Sequence, residues 1–267
     1  MRFGPSEGHI ALITGASSGI GRAFAYALAD TGCFVLLSGR NEKALEAVAE
    51  DIGSSRCAVL PADLSDKEGC IRLYEQARVY SPDILINSAG TGVFGRFDES
   101  PLDAETDMID LNIKAMHILF KLFLHDFERQ GRGYILNIGS LAGFMPGPLM
   151  SAYYSSKAYV IRQTEAVYLE LLAKRSPVHV SVLCPGPVQT AFNSNAGITG
   201  TFRGITAEEC VRSAMNGMRY NIPVIIPSFG AKLIAAGSAF VPALAAGAFC
   251  YAAQKFKKPC INQQAKK

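Results

Sequence analysis

The 267-residue sequence predicts an α/β fold: a single doubly wound domain with a parallel sheet of about seven strands and helices on both faces. Strand-like and helix-like runs alternate along the chain, as they do when helical crossovers join parallel strands. The strand-like runs are apolar throughout, which is typical of strands buried on both faces. Glycine-rich or polar stretches follow four of these runs, and ligands of such folds bind where the strands end.

The predicted elements follow one another in a regular order from residue 10 onward. Apolar runs predict strands at residues 10–14, 33–38, 56–62, 83–87, 133–140, 178–186 and 224–227. Apolar residues at helical spacing predict helices at residues 19–29, 42–52, 66–80, 102–127 and 153–173. Parallel strands end at one edge of a sheet, so the stretches TGASSGIG, SGRN, NSAG and IGS, which follow four strands, are expected to meet there.

Composition excludes several classes of protein. A net charge of +3 with scattered basic residues argues against nucleic-acid binding. Seven cysteines without a C-x-x-C pair, and four histidines without ligand spacing, argue against a disulfide framework or a metal site. The cysteines fit a reducing compartment and the N-terminus lacks the pattern of a signal peptide, so a cytoplasmic location is expected.

The stretch TGASSGIG at residues 14–21 follows the first predicted strand and opens the first predicted helix. Its glycines permit a tight turn and a close approach of the backbone to a ligand. The N-terminus of the helix presents unpaired N–H groups and a positive dipole end, which suit a pyrophosphate. The candidate cofactor contacts here are Gly15, Ser17, Ser18, Gly19, Ile20 and Gly21. A packing turn without a ligand is the alternative.

The end of the second predicted strand indicates which nicotinamide cofactor the site prefers. An NAD site usually carries an acidic residue there, which hydrogen-bonds the ribose 2′-hydroxyl. In this chain Ser38 and Gly39 are uncharged, and Arg40 follows. A guanidinium suits a 2′-phosphate that an acid would repel, so the sequence favours NADP (NADPH) over NAD. The alternative is that Arg40 is a solvated surface charge.

These motifs and those that follow them resemble the short-chain dehydrogenase/reductase family over nearly the whole chain to about residue 227, which implies a Rossmann-like NAD(P)-binding domain. TGASSGIG matches the family's TGxxxGxG, and NSAG at residues 87–90 matches its NNAG, with Ser88 in place of the second Asn. PGPVQT at residues 185–190 matches the motif that closes over the nicotinamide. The further cofactor contacts that the resemblance implies are Asp63, Leu64, Asn87, Ala89, Gly90, Pro185, Gly186, Val188 and Thr190.

The resemblance also implies a catalytic set of Asn112, Ser140, Tyr153 and Lys157. Tyr153 and Tyr154 both lie near Lys157 on a helix, so spacing alone does not choose between them. The family's YxxxK motif selects Tyr153 as the proton donor in reduction. Lys157 is then expected to lower the pKa of Tyr153 and to hold the nicotinamide ribose. Ser140 is expected to polarise the carbonyl, and Asn112 to support a proton relay through water.

Apolar segments near the catalytic motifs suggest a hydrophobic carbonyl substrate, such as a 3-oxoacyl thioester or a steroid-like ketone. They are residues 143–150, Val93 and Phe94; the alternative is that they pack beneath a lid. Residues 189–206 predict a mobile lid, in which Arg203 is a candidate for binding an anionic substrate group. The complete catalytic set favours an NADP-dependent reductase over a non-catalytic NADP-binding interaction protein.

The C-terminal tail, residues 228–267 of this single domain, is where the family resemblance fades. Residues 233–254 carry no charge, and lysines flank them. Many alanines and glycines, together with Pro242, weaken a membrane span. The sequence favours short helices docked beside the substrate lid or at a subunit interface, with attachment to a membrane surface as the alternative. The family commonly forms dimers or tetramers through its long helices, so a homo-oligomer is expected.

Overall fold

Seven parallel strands form the main sheet of the computed structural model, which describes residues 8–192, 196, 198–199, 204–255 and 258–259. They are β1 (Ile10–Thr14), β2 (Phe34–Gly39), β3 (Cys57–Pro61), β4 (Ile84–Asn87), β5 (Gly133–Ile138), β6 (Val178–Leu183) and β8 (Val224–Ile225). Their spatial order is β3-β2-β1-β4-β5-β6-β8, so strand order reverses between β1 and β4. Two shorter strands outside this sheet, β7 (Ile198–Thr199) and β9 (Lys258–Pro259), pair antiparallel. The predicted seven-stranded parallel sheet is confirmed.

The register of the strands brings their carboxyl ends to one level. Thr14 of β1 pairs with Ser38 of β2 and with Asn87 of β4. Asn87 in turn pairs with Asn137 of β5. The loops that follow these strands therefore start beside one another, where strand order reverses and where ligands of such sheets bind.

Helices cover both faces of the sheet. They are α1 (Gly19–Asp30), α2 (Glu42–Ile52), α3 (Lys67–Arg78), α4 (Leu102–Ile109), α5 (Met116–Gln130), α6 (Ser151–Ala173), α7 (Ala207–Arg219), α8 (Phe229–Ser238) and α9 (Ala243–Lys255). α1, α2 and α7 pack on one face through side chains such as Phe24 and Val211. α3, α5 and α6 pack on the other through side chains such as Phe123 and Ile161. Burying each such side chain stabilises the fold by about 1.5–3 kcal/mol. The two helical layers therefore hold the sheet, and the edge that carries the loops, in place.

The long helix predicted at residues 102–127 is interrupted. α4 ends at Ile109, a π-helical segment occupies Asp110–Ala115, and α5 continues to Gln130. π-helical turns are frequent at functional sites. The sequence of this segment, DLNIKA, contains no glycine or proline that would mark the interruption. Apolar spacing therefore predicted a continuous helix where the structure has three pieces.

The tail forms two short helices. α8 ends at Ser238 and α9 begins at Ala243, with Pro242 between them. Proline removes a backbone donor and clashes with the preceding turn, so it separates the two helices. α8 has 10 residues and α9 has 13. Within the described part of the chain, no helix combines the length and the apolar character that crossing a bilayer requires.

Candidate active site

A cavity of about 1250 Å³ lies at the carboxyl edge of the sheet. It exceeds the roughly 300–1,000 Å³ of a pocket for one small ligand, so it has room for a dinucleotide and a substrate. The predicted site residues that line it are Gly15, Ser17, Ser18, Gly19, Ile20, Arg40, Leu64, Ala89, Gly90, Ser140, Tyr153, Lys157, Pro185, Gly186, Val188 and Thr190. Four others do not line it: Gly21, Asp63, Asn87 and Asn112.

The loop after β1 is fastened to the loop after β4. Thr14 Oγ1 accepts hydrogen bonds from the backbone N–H groups of Ser88 and Ala89, both at 3.0 Å. Gly15 has a φ of +68°, and a Cβ at this position would come within 3.0 Å of the Ala89 Cα. The TG and NSAG motifs thus form one structural unit, and glycine is required where the two backbones meet.

The N-terminus of α1 is open toward the cavity. Its N-cap residue, Ser18, makes no side-chain hydrogen bond to the helix, whereas Asn41 and Asp66 cap α2 and α3 in this way. The first N–H groups of α1 are therefore left for a ligand, and the positive dipole end favours an anion. Gly21 lies behind this turn, since a Cβ on it would come within 2.3 Å of the Gly15 carbonyl oxygen. These features fit the pyrophosphate of a dinucleotide.

The end of β2 and the residue that follows it present a cation to the cavity. Gly39 and Arg40 both line the cavity, and Arg40 is exposed. Among the described residues, no ion pair joins Arg40 to a carboxylate. The guanidinium therefore remains available to an anionic ligand group.

Two predicted cofactor contacts are engaged elsewhere. The Asp63 carboxylate accepts a hydrogen bond from the Ser65 N–H at 3.0 Å. Asn87 Nδ2 donates to Asn137 Oδ1 at 2.9 Å, inside the core. Asp63 therefore shapes the turn after β3, while its neighbour Leu64 lines the cavity. Asn87 ties β4 to β5 beneath the cavity and has no hydrogen bond at its Oδ1 within the described residues, so its contact with the cofactor stays a prediction.

The π-helical segment holds Asn112 in position against the loop after β4. Asn112 Oδ1 accepts from the Thr91 N–H at 3.0 Å, while Nδ2 donates to the Thr91 carbonyl at 2.9 Å and to Ser156 Oγ at 3.1 Å. A Cβ at Gly90 would lie 3.0 Å from Asn112 Oδ1 and 3.6 Å from Lys157 Nζ. The buried Asn112 side chain therefore links this loop to α6 by hydrogen bonds. Its predicted role in a proton relay stays a prediction.

Ser140, Tyr153 and Lys157 meet at the end of β5. Ser140 follows β5, and its Oγ accepts from the Ala142 N–H at 3.1 Å. Tyr153 and Lys157 project from the first turns of α6, and the Lys157 Nζ lies 5.8 Å from the centroid of the Tyr153 ring. Lys157 Nζ donates to the Ile138 carbonyl at 2.9 Å. Both side chains are buried, so their polar ends sit in a site largely sheltered from water.

Burial dominates the pKa values of the two ionisable groups. It raises the pKa of Tyr153 to about 12, while hydrogen bonding with Ser140 acts in the opposite direction. It lowers the pKa of Lys157 to about 8. The pKa of Tyr153 is thus raised, not lowered as expected, because desolvation of the phenolate dominates and Lys157 is not among the groups that shift it. At neutral pH the phenol is protonated and the amine is mostly charged.

Tyr154 has different partners from its neighbour. Its Oη accepts a hydrogen bond from Gln254 Nε2 of α9 at 2.8 Å. Its ring covers Gly147, where a Cβ would come within 2.2 Å of the ring carbon Cγ. Gln254 is buried, lines the cavity and leaves its Oε1 without a hydrogen-bond partner. Sequence reasoning missed Gln254, because the only signal was a lone polar residue at the end of an uncharged run.

The substrate side of the cavity is mostly apolar. Besides Tyr154, its lining includes Leu141, Ala142, Met145, Met150, Phe192, Ile234, Phe249, Cys250 and Ala253. The predicted loop at residues 143–150 contributes two of these side chains, whereas Val93 and Phe94 pack against a small core cluster. The Phe192 ring lies 5.3 Å from the Tyr153 ring, centroid to centroid. Arg203, the predicted anion contact of the lid, lies outside the described residues.

Comparisons with known proteins agree with these features. The family model described as short chain dehydrogenase matches residues 9–198. An uncharacterized oxidoreductase of Staphylococcus aureus (strain MRSA252) is 35% identical over 187 residues, which cover 69% of this chain and 80% of the relative.

Two solved structures are similar over most of the chain. A short-chain dehydrogenase from Sphingobium yanoikuyae in complex with NADPH has a TM-score of 0.77 at 33% identity, covering 87% of this chain and 93% of that one. The bulky-bulky ketone specific alcohol dehydrogenase from Comamonas testosteroni has a TM-score of 0.74 at 28% identity, with the same coverage of 87% and 93%. Because the family model spans most of the chain that forms the cavity, this protein belongs to the short-chain dehydrogenase family and is an oxidoreductase.

Proposed function

We propose that this oxidoreductase uses NADPH to reduce a ketone that carries bulky apolar groups. The observation that carries the proposal is the meeting of the half-buried Ser140 with the buried Tyr153 and Lys157 beside the apolar part of the cavity. A phenol, a hydroxyl and an ammonium are the groups that a carbonyl oxygen needs as its negative charge develops.

The open end of α1 and the loops after β2 and β4 would hold the cofactor. The first N–H groups of α1 would bind the pyrophosphate, and the uncharged Gly39 with Arg40 suits a 2′-phosphate. When bound, NADPH supplies the hydride that reduces the carbonyl carbon. The similar structure from Sphingobium yanoikuyae, which contains NADPH, supports this choice of cofactor.

Tyr153 would donate the proton to the carbonyl oxygen. Its raised pKa keeps the phenol protonated at neutral pH, so the proton that the carbonyl oxygen takes up is in place before reduction. Ser140 would donate a second hydrogen bond to the same oxygen and orient the ketone. Lys157 has one of its three N–H groups on the Ile138 carbonyl, so the other two remain for ribose hydroxyls.

The apolar lining selects the substrate. Met145, Met150 and Phe192 offer surface to hydrophobic groups, and burying apolar surface stabilises binding by about 25 cal/mol per Å². The relative from Comamonas testosteroni, described as specific for ketones with two bulky groups, supports the same class. A 3-oxoacyl thioester and a steroid-like ketone both belong to this class.

A panel of ketones tests the proposal. The absorbance of NADPH would be followed with a diaryl ketone, a steroid ketone and a 3-oxoacyl thioester, and with acetone as the small control. We expect turnover with at least one apolar ketone and a much lower kcat/KM with acetone. A protein that binds NADPH but oxidises it with no member of the panel would instead fit a non-catalytic NADP-binding protein.

A further inference from the structure

The two tail helices expose their large apolar side chains and bury their small ones. α8 buries Ala231 and Ala235, and α9 buries Gly247 and Cys250 along with Gln254. The tail surface, as we define it, consists of the exposed side chains Phe229, Leu233, Ile234, Phe240, Val241, Leu244, Phe249 and Tyr251. A helix that faces only water shows the reverse arrangement, so this surface is suited to a partner.

The most prominent members of the tail surface lie where the two helices meet. Phe240 and Leu244 are each 89% exposed, and neither lines the cavity. Ile234 and Phe249 belong to the tail surface and also line the cavity. The tail surface is therefore continuous with the mouth of the cavity, on the substrate side.

Charge along the chain identifies the kind of partner. Residues 210–267 contain eight lysines and arginines and no aspartate or glutamate. The first 209 residues contain the other 18 basic residues and all 23 acidic ones. Lys232 on α8 and Lys255 on α9 are exposed, and no ion pair between described residues includes either of them. An apolar surface within an exclusively basic segment complements an anionic partner.

We propose that α8 and α9 bind the surface of an anionic lipid bilayer, with the tail surface at the boundary between headgroups and acyl chains. Amphipathic helices bind bilayers in this way, with apolar side chains inserted and lysines near the headgroups. The helices of 10 and 13 residues lie on the bilayer, since a span needs about 20. A symmetric contact between two copies through this surface would bring Lys232 and Lys255 of one copy toward those of the other, which like charges oppose.

Lipid binding goes beyond the proposed function and does not require it. One consequence rests on that function: with the cavity mouth beside the bilayer, an apolar ketone dissolved in lipid enters without crossing water. The sequence favoured a tail docked on the domain, with a membrane surface as the alternative. In the structure the tail docks on the domain through its small residues, and its large residues face outward.

The absence of tryptophan from the sequence gives a direct test. Phe240→Trp places a single tryptophan in the tail surface, and Val79→Trp places one just after α3, where Val79 is 81% exposed. α3 runs antiparallel to the strands, so Val79 lies at the sheet edge opposite the cavity. With vesicles of phosphatidylcholine and phosphatidylglycerol, we expect a blue shift of the Phe240→Trp emission, reversed by high salt, and none for Val79→Trp. Circular dichroism would establish that both variants are folded.

Flotation of the unlabelled protein with the same vesicles provides a second readout. Phe240→Ser combined with Leu244→Ser should lower vesicle binding at least about tenfold, because two inserted side chains are lost. The control, Val79→Ser combined with Leu172→Ser, should bind like the wild type. Equal binding to vesicles of phosphatidylcholine alone would overturn the anionic requirement. If the Phe240→Trp emission did not shift with any vesicle, lipid binding would be overturned. An emission shift that grows with protein concentration in the absence of vesicles would also overturn it, in favour of self-association.

Discussion

Tyr153 and Tyr154 lie on the same turn of α6 but contact different groups. Tyr153 lies between Ser140, Lys157 and the Phe192 ring. Tyr154 is held by Gln254 of the tail. Helical spacing places both rings near Lys157, and only the packing of the tail and of the loop before α6 separates them. The environment of each ring, rather than its distance from the lysine in sequence, supports the assignment of the acid.

The pKa of Lys157 predicts how activity depends on pH. Burial lowers this pKa to about 8, so the ammonium is present below that pH and is lost as the pH rises through it. The phenol of Tyr153, with a pKa of about 12, stays protonated over the same range. We expect kcat/KM for ketone reduction, which reports groups of the free enzyme, to fall as the pH rises through about 8.

A Lys157→Arg variant is the control for the pH profile. Arginine keeps its charge at every pH in the range, so the residual activity of this variant should not show the fall near pH 8. A wild-type kcat/KM that instead rises through pH 8 would mean that a deprotonated group assists the reaction.

Arg40 predicts the cofactor preference. Arg40→Ala should lower kcat/KM for NADPH by a factor equivalent to about 1.5–3 kcal/mol, the range for hydrogen bonds to charged groups. The reason is that the Arg40 guanidinium would bind the 2′-phosphate. The value for NADH should hardly change, because NADH has no such phosphate. Steady-state kinetics with both cofactors measures this difference. Equal kcat/KM values for NADPH and NADH in the wild type would contradict the preference.

At the scale of elements, the turn from β1 into α1 depends on Gly21, a glycine that does not line the cavity. In Gly21→Ala the new Cβ would lie within 2.3 Å of the Gly15 carbonyl, so the turn must shift. We expect weaker NADPH binding, by roughly tenfold or more, and a lower Tm. Gly230→Ala is the control, because a Cβ there would meet no atom within 4 Å and Gly230 does not line the cavity. Titration calorimetry would contradict the account if both variants bound NADPH alike.

Secondary structure could be predicted where the pattern of apolar residues determines it. It could not be predicted where polar contacts between distant residues determine it. The strand at residues 10–14 was predicted with its observed bounds, because a parallel strand buried on both faces is apolar throughout. The π-helical segment arises where Asn112 bonds to Thr91 and Ser156, which are distant in sequence. No local pattern contains those contacts, so a continuous helix was the natural prediction.

At the scale of the whole molecule, the motifs located the cavity but not all of its walls. The loops that follow the strands meet because the register brings the strand ends to one level, so the motifs in these loops were enough to locate the cavity. The contribution of Ile234, Phe249 and Gln254 depends on how the tail folds back over the sheet edge. Small residues mediate that docking, and they carry little hydrophobic pattern for a sequence to reveal.

The central claim is that Tyr153 donates the proton in an NADPH-dependent ketone reduction. Its most direct test measures kcat with an apolar ketone and the Kd for NADPH in the wild type, Tyr153→Phe and Tyr154→Phe. Tyr153→Phe should lower kcat by roughly 10²–10⁴-fold, the range for loss of a positioned acid, and leave the Kd for NADPH nearly unchanged. Tyr154→Phe should keep much of the activity. An active Tyr153→Phe enzyme, or an inactive Tyr154→Phe enzyme with NADPH still bound, would contradict the account.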